Sequence, residues 1–332
     1  MLKEAISKVV ERQDLSSEEA NQVMNEIMSG KGTDAQIAAF ITALRMKGET
    51  VEEITEFTRI MREKAAKVHV NKPAVDTCGT GGDRSFSFNI STAAAFVAAG
   101  AGVTIAKHGN RSVSSKSGSA DCFQALGINI SASLSDVEKN INEIGIGFLF
   151  APMLHSSMKY AIGPRREIGI RTVFNILGPM TNPAGAKAQL LGVYDASLMG
   201  IMIQVLKNLE STHVLVVHGE DGLDEISITG PTEVSELKEG KITHYTIKPE
   251  DFGMKVASLD DIKGGTAEEN ARVCIDILNK KQGPQRDITL LNAGAVIYVA
   301  DMCDSIAEGI QKAAEAIDSG AALAKLEQYK SR

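Results

Sequence analysis

The stretch DTCGTGGDRSFSFNIST, Asp76 to Thr92, constrains the fold more than any other part of the chain. Residues Ala74 to Cys78 read as a brief strand, Gly79-Thr80-Gly81-Gly82-Asp83 as a turn, and STAAAFVAAG as a helix with Asn89 or Ser91 at its N-cap. Glycines at this density weaken any regular element, so they mark a loop. A strand that feeds a helix through such a loop is the entry to an α/β layer. It also exposes backbone N–H groups at the positive end of a helix dipole, which suits phosphate. Two nucleotide templates fail, however. No GxxxxGK[ST] occurs, and reading Gly79-x-Gly81 as a dinucleotide fingerprint puts Arg84 where close helix packing demands a third glycine. Taken alone, the loop fits both a phosphate cradle and a plain connecting turn.

The chain beyond Pro73 agrees with an α/β layer. GVTIAKHG, GIGFLFAP, AQLLGVYD, THVLVVHG and ITLLNAGAVIYVA are short apolar runs, separated by helical patterns such as SDVEKNINEIG and EENARVCIDILNKK. That alternation predicts a mostly parallel sheet. EISITG and KITHYTI read as short antiparallel strands on its edge.

The first 67 residues have a different texture. Ser16 with Glu19, Thr33 with Gln36 and Thr50 with Glu53 each set a hydroxyl ahead of a Glu or Gln at capping-box spacing. Val23/Ile27, Ile37/Ile41/Leu44 and Ile54/Phe57/Met61 follow at helical spacing, and Gly30 and Gly48 stand where left-handed C-terminal residues belong. A small helical domain ending near Lys67 is expected. His155 to Pro179 lacks strand character and is expected to pack back on those helices.

Composition narrows the partners. At 332 residues and 43% hydrophobic content the chain can bury a full core divided between two domains. A net charge of -7 without a basic run argues against nucleic acid or an anionic membrane surface. The four cysteines show no CxxC spacing and MLKEAISKVVERQ lacks a signal-peptide core, so a cytoplasmic location is expected. No run of about 18 apolar residues predicts a membrane span.

Three further stretches carry chemistry. After GVTIA comes KHGNRSVSSKSGSAD, where Lys107, His108, Asn110, Arg111 and a series of serines crowd the carboxyl end of a strand, the place where open α/β sheets put ligand crevices. Lys107 there supplies a point charge for phosphate, and the hydroxyls can wrap its oxygens; His108 suits a structural and a catalytic role equally. After THVLVVHG, the carboxylates Asp224 and Glu225 suit Mg2+, which favours hard oxygen ligands shared with substrate phosphates, although a solitary acidic turn would look the same. Arg165 and Arg166, ahead of Asn175-Ile-Leu-Gly178-Pro179, fit either salt bridges or a fork to a substrate carboxylate. Cys78 reads as a small packed residue, since nothing marks it as activated.

Taken in order, DTCGTGGD, FNIST, KHGNRSVSSKSGSAD, RREIGIRTVFNILGPMTNP and GLDE resemble the anthranilate phosphoribosyltransferases, over essentially the whole chain and without a large insertion. Nucleoside phosphorylases share that fold but are less similar in these loops. The resemblance implies a small all-helical domain, residues 1–70 completed by about 160–184, set against a large α/β domain of residues 71–159 and 185–332. It implies a homodimer paired through the helical domains, with 5-phosphoribosyl 1-diphosphate at the junction. Gly79, Gly82, Asp83, Ser87, Asn89, Ile90, Ser91 and Thr92 would contact that substrate from the first loop. Lys107, His108, Gly109, Asn110, Arg111, Ser112, Val113, Ser114, Ser115 and Ser119 would contact it from the second. Ser91, Asp224 and Glu225 would serve Mg2+, and Gly79, Asn110 and Arg165 would border anthranilate. The family pattern leads one to expect threonine at Ser87, and both residues keep the hydroxyl.

The implied reaction explains the residue types. The anthranilate amine displaces diphosphate from C1 of the ribose, so negative charge grows on the leaving group and must be stabilised. An aromatic amine is already unprotonated at neutral pH, so no strong base is needed before attack; no catalytic base is assigned, and His108 is the candidate. Two other readings remain open at this level: pyrimidine nucleoside phosphorolysis on the same fold, and a non-enzymatic nucleic-acid binder, which would need a basic groove.

Overall fold

A computed structural model describes residues 1–83, 85–112 and 116–332. Its first four helices are α1 (Leu2–Val10), α2 (Ser17–Met28), α3 (Asp34–Lys47) and α4 (Val51–Lys64). The last three start at complete capping boxes, Ser16/Glu19, Thr33/Gln36 and Thr50/Glu53, in which each side chain satisfies the other's backbone N–H. All eight apolar residues named above for this region are buried. Gly30 takes a positive φ of 71°. Gly48 also has positive φ, 89°, but its ψ of 128° is extended, so α3 ends by turning straight out of the helix.

The α/β part begins with β1 (Val75–Gly79), α5 (Ile90–Gly100), β2 (Ile105–Gly109), α6 (Ser119–Ala125), α7 (Leu134–Lys139) and β3 (Ile146–Phe150). Next come α8 (Ala151–Leu154), α9 (Lys159–Ile168) and α10 (Phe174–Leu177). Ala161, Val173, Phe174, Ile176 and Leu177 from this stretch share one apolar core with α1 to α4, as expected of a segment that packs back. Then β4 (Ala188–Gly192), α11 (Met199–Asn208) and β5 (His213–Gly219) lead into β6 (Thr232–Lys238) and β7 (Lys241–Ile247). The chain closes with α12 (Ala267–Leu278), α13 (Pro284–Val299), α14 (Ile306–Asp318) and α15 (Ala321–Lys330).

The sheet runs β3-β2-β1-β4-β5-β6-β7. Strands β1 to β5 are parallel, and β6 and β7 add an antiparallel edge. The fold is thus a small helical bundle beside a large α/β unit with a mostly parallel sheet. The chain leaves β1 for β2 and β3 on one side and returns to β4 and β5 on the other. The carboxyl ends of β1 and β4 therefore flank a topological switch point, where such sheets bind ligands.

Two element expectations change. EISITG is not a strand: the partner of KITHYTI is TEVSELK, β6, antiparallel with Thr232 opposite Ile247. Its polar residues disguise it, because Glu236 is buried as acceptor for the hydroxyls of Tyr245 and Tyr298, both at 2.8 Å. ITLLNAGAVIYVA is not a strand either but most of helix α13. That helix is buried around nearly its whole circumference, and an apolar run without a polar face has no period to separate helix from strand.

Candidate active site

The glycine loop leaves β1 with Gly81 and Gly82 at φ of 70° and 80°, conformations that other L-residues rarely hold. Gly79 is needed for a different reason: a Cβ there would lie 2.2 Å from Oδ2 of Asp224. Gly192, beside it at the end of β4, would put a Cβ 1.6 Å from the Asp224 carbonyl oxygen. These two bare backbones let the acidic loop lie against the switch point. Hydrogen bonds then fix the contact, as Gly81 N–H donates to Asp224 Oδ2 at 2.6 Å and Thr80 N–H to the Gly192 carbonyl at 2.9 Å. On the other side of the loop, Arg171 donates to the Gly82 carbonyl at 2.5 Å while its guanidinium stacks 3.9 Å from the Tyr194 ring centroid.

Asp224 is buried, and Glu225 beside it accepts from Ser91 N–H at 3.1 Å. Loss of water raises the pKa of both carboxyls; the like charge of Asp83 adds to the effect on Asp224, and that of Asp224 to the effect on Glu225. Lys107 opposes the shift of Glu225. Among the described residues no cluster of three or more His, Cys, Asp or Glu is set as a ready-made cage. Two crowded carboxylates with a helix-start hydroxyl, Ser91, fit an ion that takes few protein ligands and completes its shell with water and phosphate oxygens, which is the habit of Mg2+.

Lys107 departs from the expectation of an ammonium standing in the crevice. It is 1% exposed, with Nζ donating to the Thr77 carbonyl at 2.5 Å and to Ser91 Oγ at 3.1 Å. Its charge lies beneath the loops and acts on them from below. The backbone of His108 is fixed by Asp76, whose Oδ1 accepts its N–H at 3.0 Å and whose Oδ2 accepts from Asn182 at 2.8 Å. The ring of His108 lies 5.1 Å from that of His155. Burial lowers both imidazoles, His108 to about 3 and His155 to about 4, and each Nε2 is buried without a hydrogen-bond partner among the described residues. The pair is therefore neutral at physiological pH and could accept a hydrogen bond from a ligand.

The remaining first-loop residues fall around the start of α5. Ile90 and Thr92 are buried, the hydroxyl of Thr92 without a partner among the described residues, and Ser87 forms an isolated bridge with Lys263. Asn89 occupies the N-cap, but its side chain does not cap the helix. In the second loop Gly109 allows Ser119 to approach, since a Cβ would lie 2.3 Å from Ser119 Oγ. Asn110 is exposed, and Ser112 N–H donates to Asp121 at 3.3 Å. Arg111 is committed to Asp121 at 2.5 Å and Gln124 at 2.8 Å, so its charge turns to the surface. Val113, Ser114 and Ser115, together with Arg84, lie outside the described residues.

Arg165, in the last turn of α9, has its guanidinium 5.2 Å from the Phe174 ring centroid and makes no salt bridge among the described residues. Such an arginine can fork to a carboxylate. Cys78 is packed against Gln189, and burial pushes its thiol up, out of reach of nucleophilic chemistry. Sequence reasoning missed His155, Arg171, Asn182 and Gly192. Each lies inside a stretch already noted, but its role depends on a partner distant in sequence.

Known proteins share this organisation. The helical bundle domain of a glycosyl transferase family matches residues 3–65, and the a/b domain of the same family matches residues 71–323. Anthranilate phosphoribosyltransferase from Alkaliphilus metalliredigens is 55% identical over 99% of this chain and 97% of its own length. Among solved structures, the Thermus thermophilus anthranilate phosphoribosyltransferase superposes with a TM-score of 0.93 at 42% identity, covering 98% of both chains. The Saccharomyces cerevisiae enzyme, solved in complex with PRPP and Mg, gives 0.91 at 29% identity over 99% of this chain and 97% of that one. With both domain profiles matched and full-length relatives at this identity, the chain belongs to the anthranilate phosphoribosyltransferase family.

Proposed function

We propose that the protein transfers the 5-phosphoribosyl group of 5-phosphoribosyl 1-diphosphate to the amine of anthranilate, releasing diphosphate, as a step of tryptophan biosynthesis. The observation that carries this reading is the convergence of Ser91, Lys107, Asp224 and Glu225 on one glycine loop at the switch point. Mg2+, held by Ser91, Asp224 and Glu225, would neutralise the diphosphate. The chain's own groups do the rest. Lys107, from beneath, and the start of α5 favour the anionic substrate, the glycine backbone admits it closely, and Gly79, Gly82, Asp83, Ser87, Asn89, Ser91, His108, Gly109, Asn110 and Ser119 border it. Arg165 orients anthranilate through its carboxylate, with Gly79 and Asn110 at its border. The aromatic amine attacks unprotonated and must lose a proton once bonded to C1, and neutral His108 is the candidate to receive it. Positioning of two substrates between the two parts of the molecule supplies much of the acceleration.

The proposed domain division, residues 1–70 with 160–184 against 71–159 and 185–332, is supported by the apolar core that α1 to α4 share with α9 and α10. Exposed Val10 and Met46 on the bundle support pairing of two copies through it. A cytoplasmic site of action is supported by four free thiols. No helix among the described residues is long and apolar enough to cross a membrane. Phosphorolysis of a pyrimidine nucleoside and nucleic-acid binding find no support among the named relatives. Incubation with anthranilate, 5-phosphoribosyl 1-diphosphate and Mg2+ should abolish anthranilate fluorescence. Persistence of fluorescence at saturating substrates defeats the proposal.

A further inference from the structure

Asn89 stands at the N-cap of α5, where an asparagine ordinarily turns its side-chain oxygen onto the first free N–H groups of the helix. Here that oxygen is pulled elsewhere. Asn89 Oδ1 accepts from Ser117 Oγ at 3.1 Å and from Asn270 Nδ2 at 2.9 Å, and Asn89 Nδ2 donates to the Ser117 carbonyl at 3.4 Å. Asn270 belongs to α12, far along the chain, and is 2% exposed. Its own orientation is set from the other end, because its Oδ1 accepts the Gly265 N–H at 2.8 Å. Segment 262–264 is in turn stitched to the first loop: Phe88 N–H donates to the Ile262 carbonyl at 3.1 Å and Gly264 N–H to the Phe86 carbonyl at 2.8 Å. Gly264 has no room for a Cβ, which would stand 2.6 Å from the Ser87 carbonyl oxygen and 2.7 Å from Asn270 Oδ1.

We propose that Asn270 is a positioning residue for the 5-phosphoribosyl 1-diphosphate subsite: it draws the Asn89 side chain away from the start of α5, keeps that helix end open to the anionic substrate, and joins the first substrate loop to the second through Ser117. Its amide uses both polarities at once, accepting from Gly265 and donating to Asn89, so neither aspartate nor alanine can replace it. Without the donor, only Ser117 restrains Asn89, so its side chain can turn toward the first N–H groups of α5, and the substrate must then displace it to reach them. The inference rests on the proposed 5-phosphoribosyl 1-diphosphate site and not on the identity of the acceptor.

Asn270→Ala and Asn270→Asp test it, with Asn89→Ala and the double variant Asn89→Ala/Asn270→Asp alongside. The aspartate variant keeps the acceptor for Gly265, loses the donor and adds a charge, so it serves if the alanine variant does not fold, with its binding compared at two salt concentrations to separate the charge from the lost donor. The expected result is an apparent KM for 5-phosphoribosyl 1-diphosphate raised about tenfold, a KM for anthranilate within about twofold, and parallel weakening of calorimetric 5-phosphoribosyl 1-diphosphate binding in the presence of Mg2+. Asn270→Asp should add little on top of Asn89→Ala, because both changes act through one contact. Equal effects on both substrates, additive effects in the double variant, or unchanged binding would overturn the proposal. A wild-type protein that binds 5-phosphoribosyl 1-diphosphate but leaves anthranilate untouched defeats the reaction and spares this inference; one that binds none defeats both.

Discussion

Replacing Gly192 by alanine isolates the contact on which the acidic loop depends. Gly192 lies at the end of β4, opposite Gly79 of β1, and its φ is not in the left-handed region, so alanine meets no backbone penalty there. The conflict is purely steric: the new Cβ would sit 1.6 Å from the Asp224 carbonyl oxygen. Carbon and oxygen approach no closer than about 3.3 Å in ordinary contacts, so the Asp224 backbone must retreat by about 1.7 Å. A retreat of that size breaks the 2.6 Å bond from Gly81 N–H to Asp224 Oδ2 and withdraws Glu225 from Ser91. Misplacement by about 1 Å can cost on the order of 100-fold in rate, so Gly192→Ala should lose at least that in kcat/KM and need more Mg2+ for half-maximal activity. Overpacking of about 1–3 kcal/mol should lower the melting temperature by roughly 1–5 °C. Gly200, early in α11, is the control, because a Cβ there would meet no atom within 4 Å. Gly200→Ala should leave activity unchanged and stabilise by at most about 1 kcal/mol. Fluorescence-detected turnover and thermal unfolding of both variants give the answer, and wild-type activity with an unaltered Mg2+ titration in Gly192→Ala would refute the reasoning.

Three other outcomes follow from the same geometry. Arg165→Ala should raise the KM for anthranilate about tenfold or more while sparing that for 5-phosphoribosyl 1-diphosphate, because a charge-assisted bond to the carboxylate is lost; an unchanged KM removes Arg165 from the site. The paired change Asp224→Asn and Glu225→Gln should weaken Mg2+ dependence and the use of 5-phosphoribosyl 1-diphosphate, and an unaltered metal titration would make the acidic turn structural. For His108 and His155 the folded pKa values, about 3 and about 4, lie below the unfolded value near 6.5. The unfolded chain therefore takes up protons first, and stability present above about pH 6.5 should drain away as pH falls toward 4. His155→Gln should flatten that slope in denaturant titrations, and an identical slope would show that other groups set it.

The sequence by itself determined whatever depends on neighbours along the chain. Capping boxes at Ser16, Thr33 and Thr50 specify helix starts because both partners lie within one turn. The strand, glycine turn and helix around Gly79–Ser91 are likewise local, as are the strands that end in Lys107–Gly109 and His218–Gly219. The loops of the candidate site were legible for the same reason, since residue types and strand ends are printed in order. Polarity misled where burial reversed its meaning: TEVSELK hides a strand because Glu236 is satisfied by distant tyrosines, and ITLLNAGAVIYVA hides a helix because nearly every face is covered. Only the tertiary structure decided that Lys107 is buried under the loops and that Arg111 turns to Asp121. It alone placed Gly192 against Asp224, His155 against His108 and Asn270 against Asn89. The physical reason is that almost all of these properties belong to pairs whose members are separated by tens to hundreds of residues. Desolvation, close approach and long-range hydrogen bonding exist only once the sheet has brought both members to its carboxyl edge.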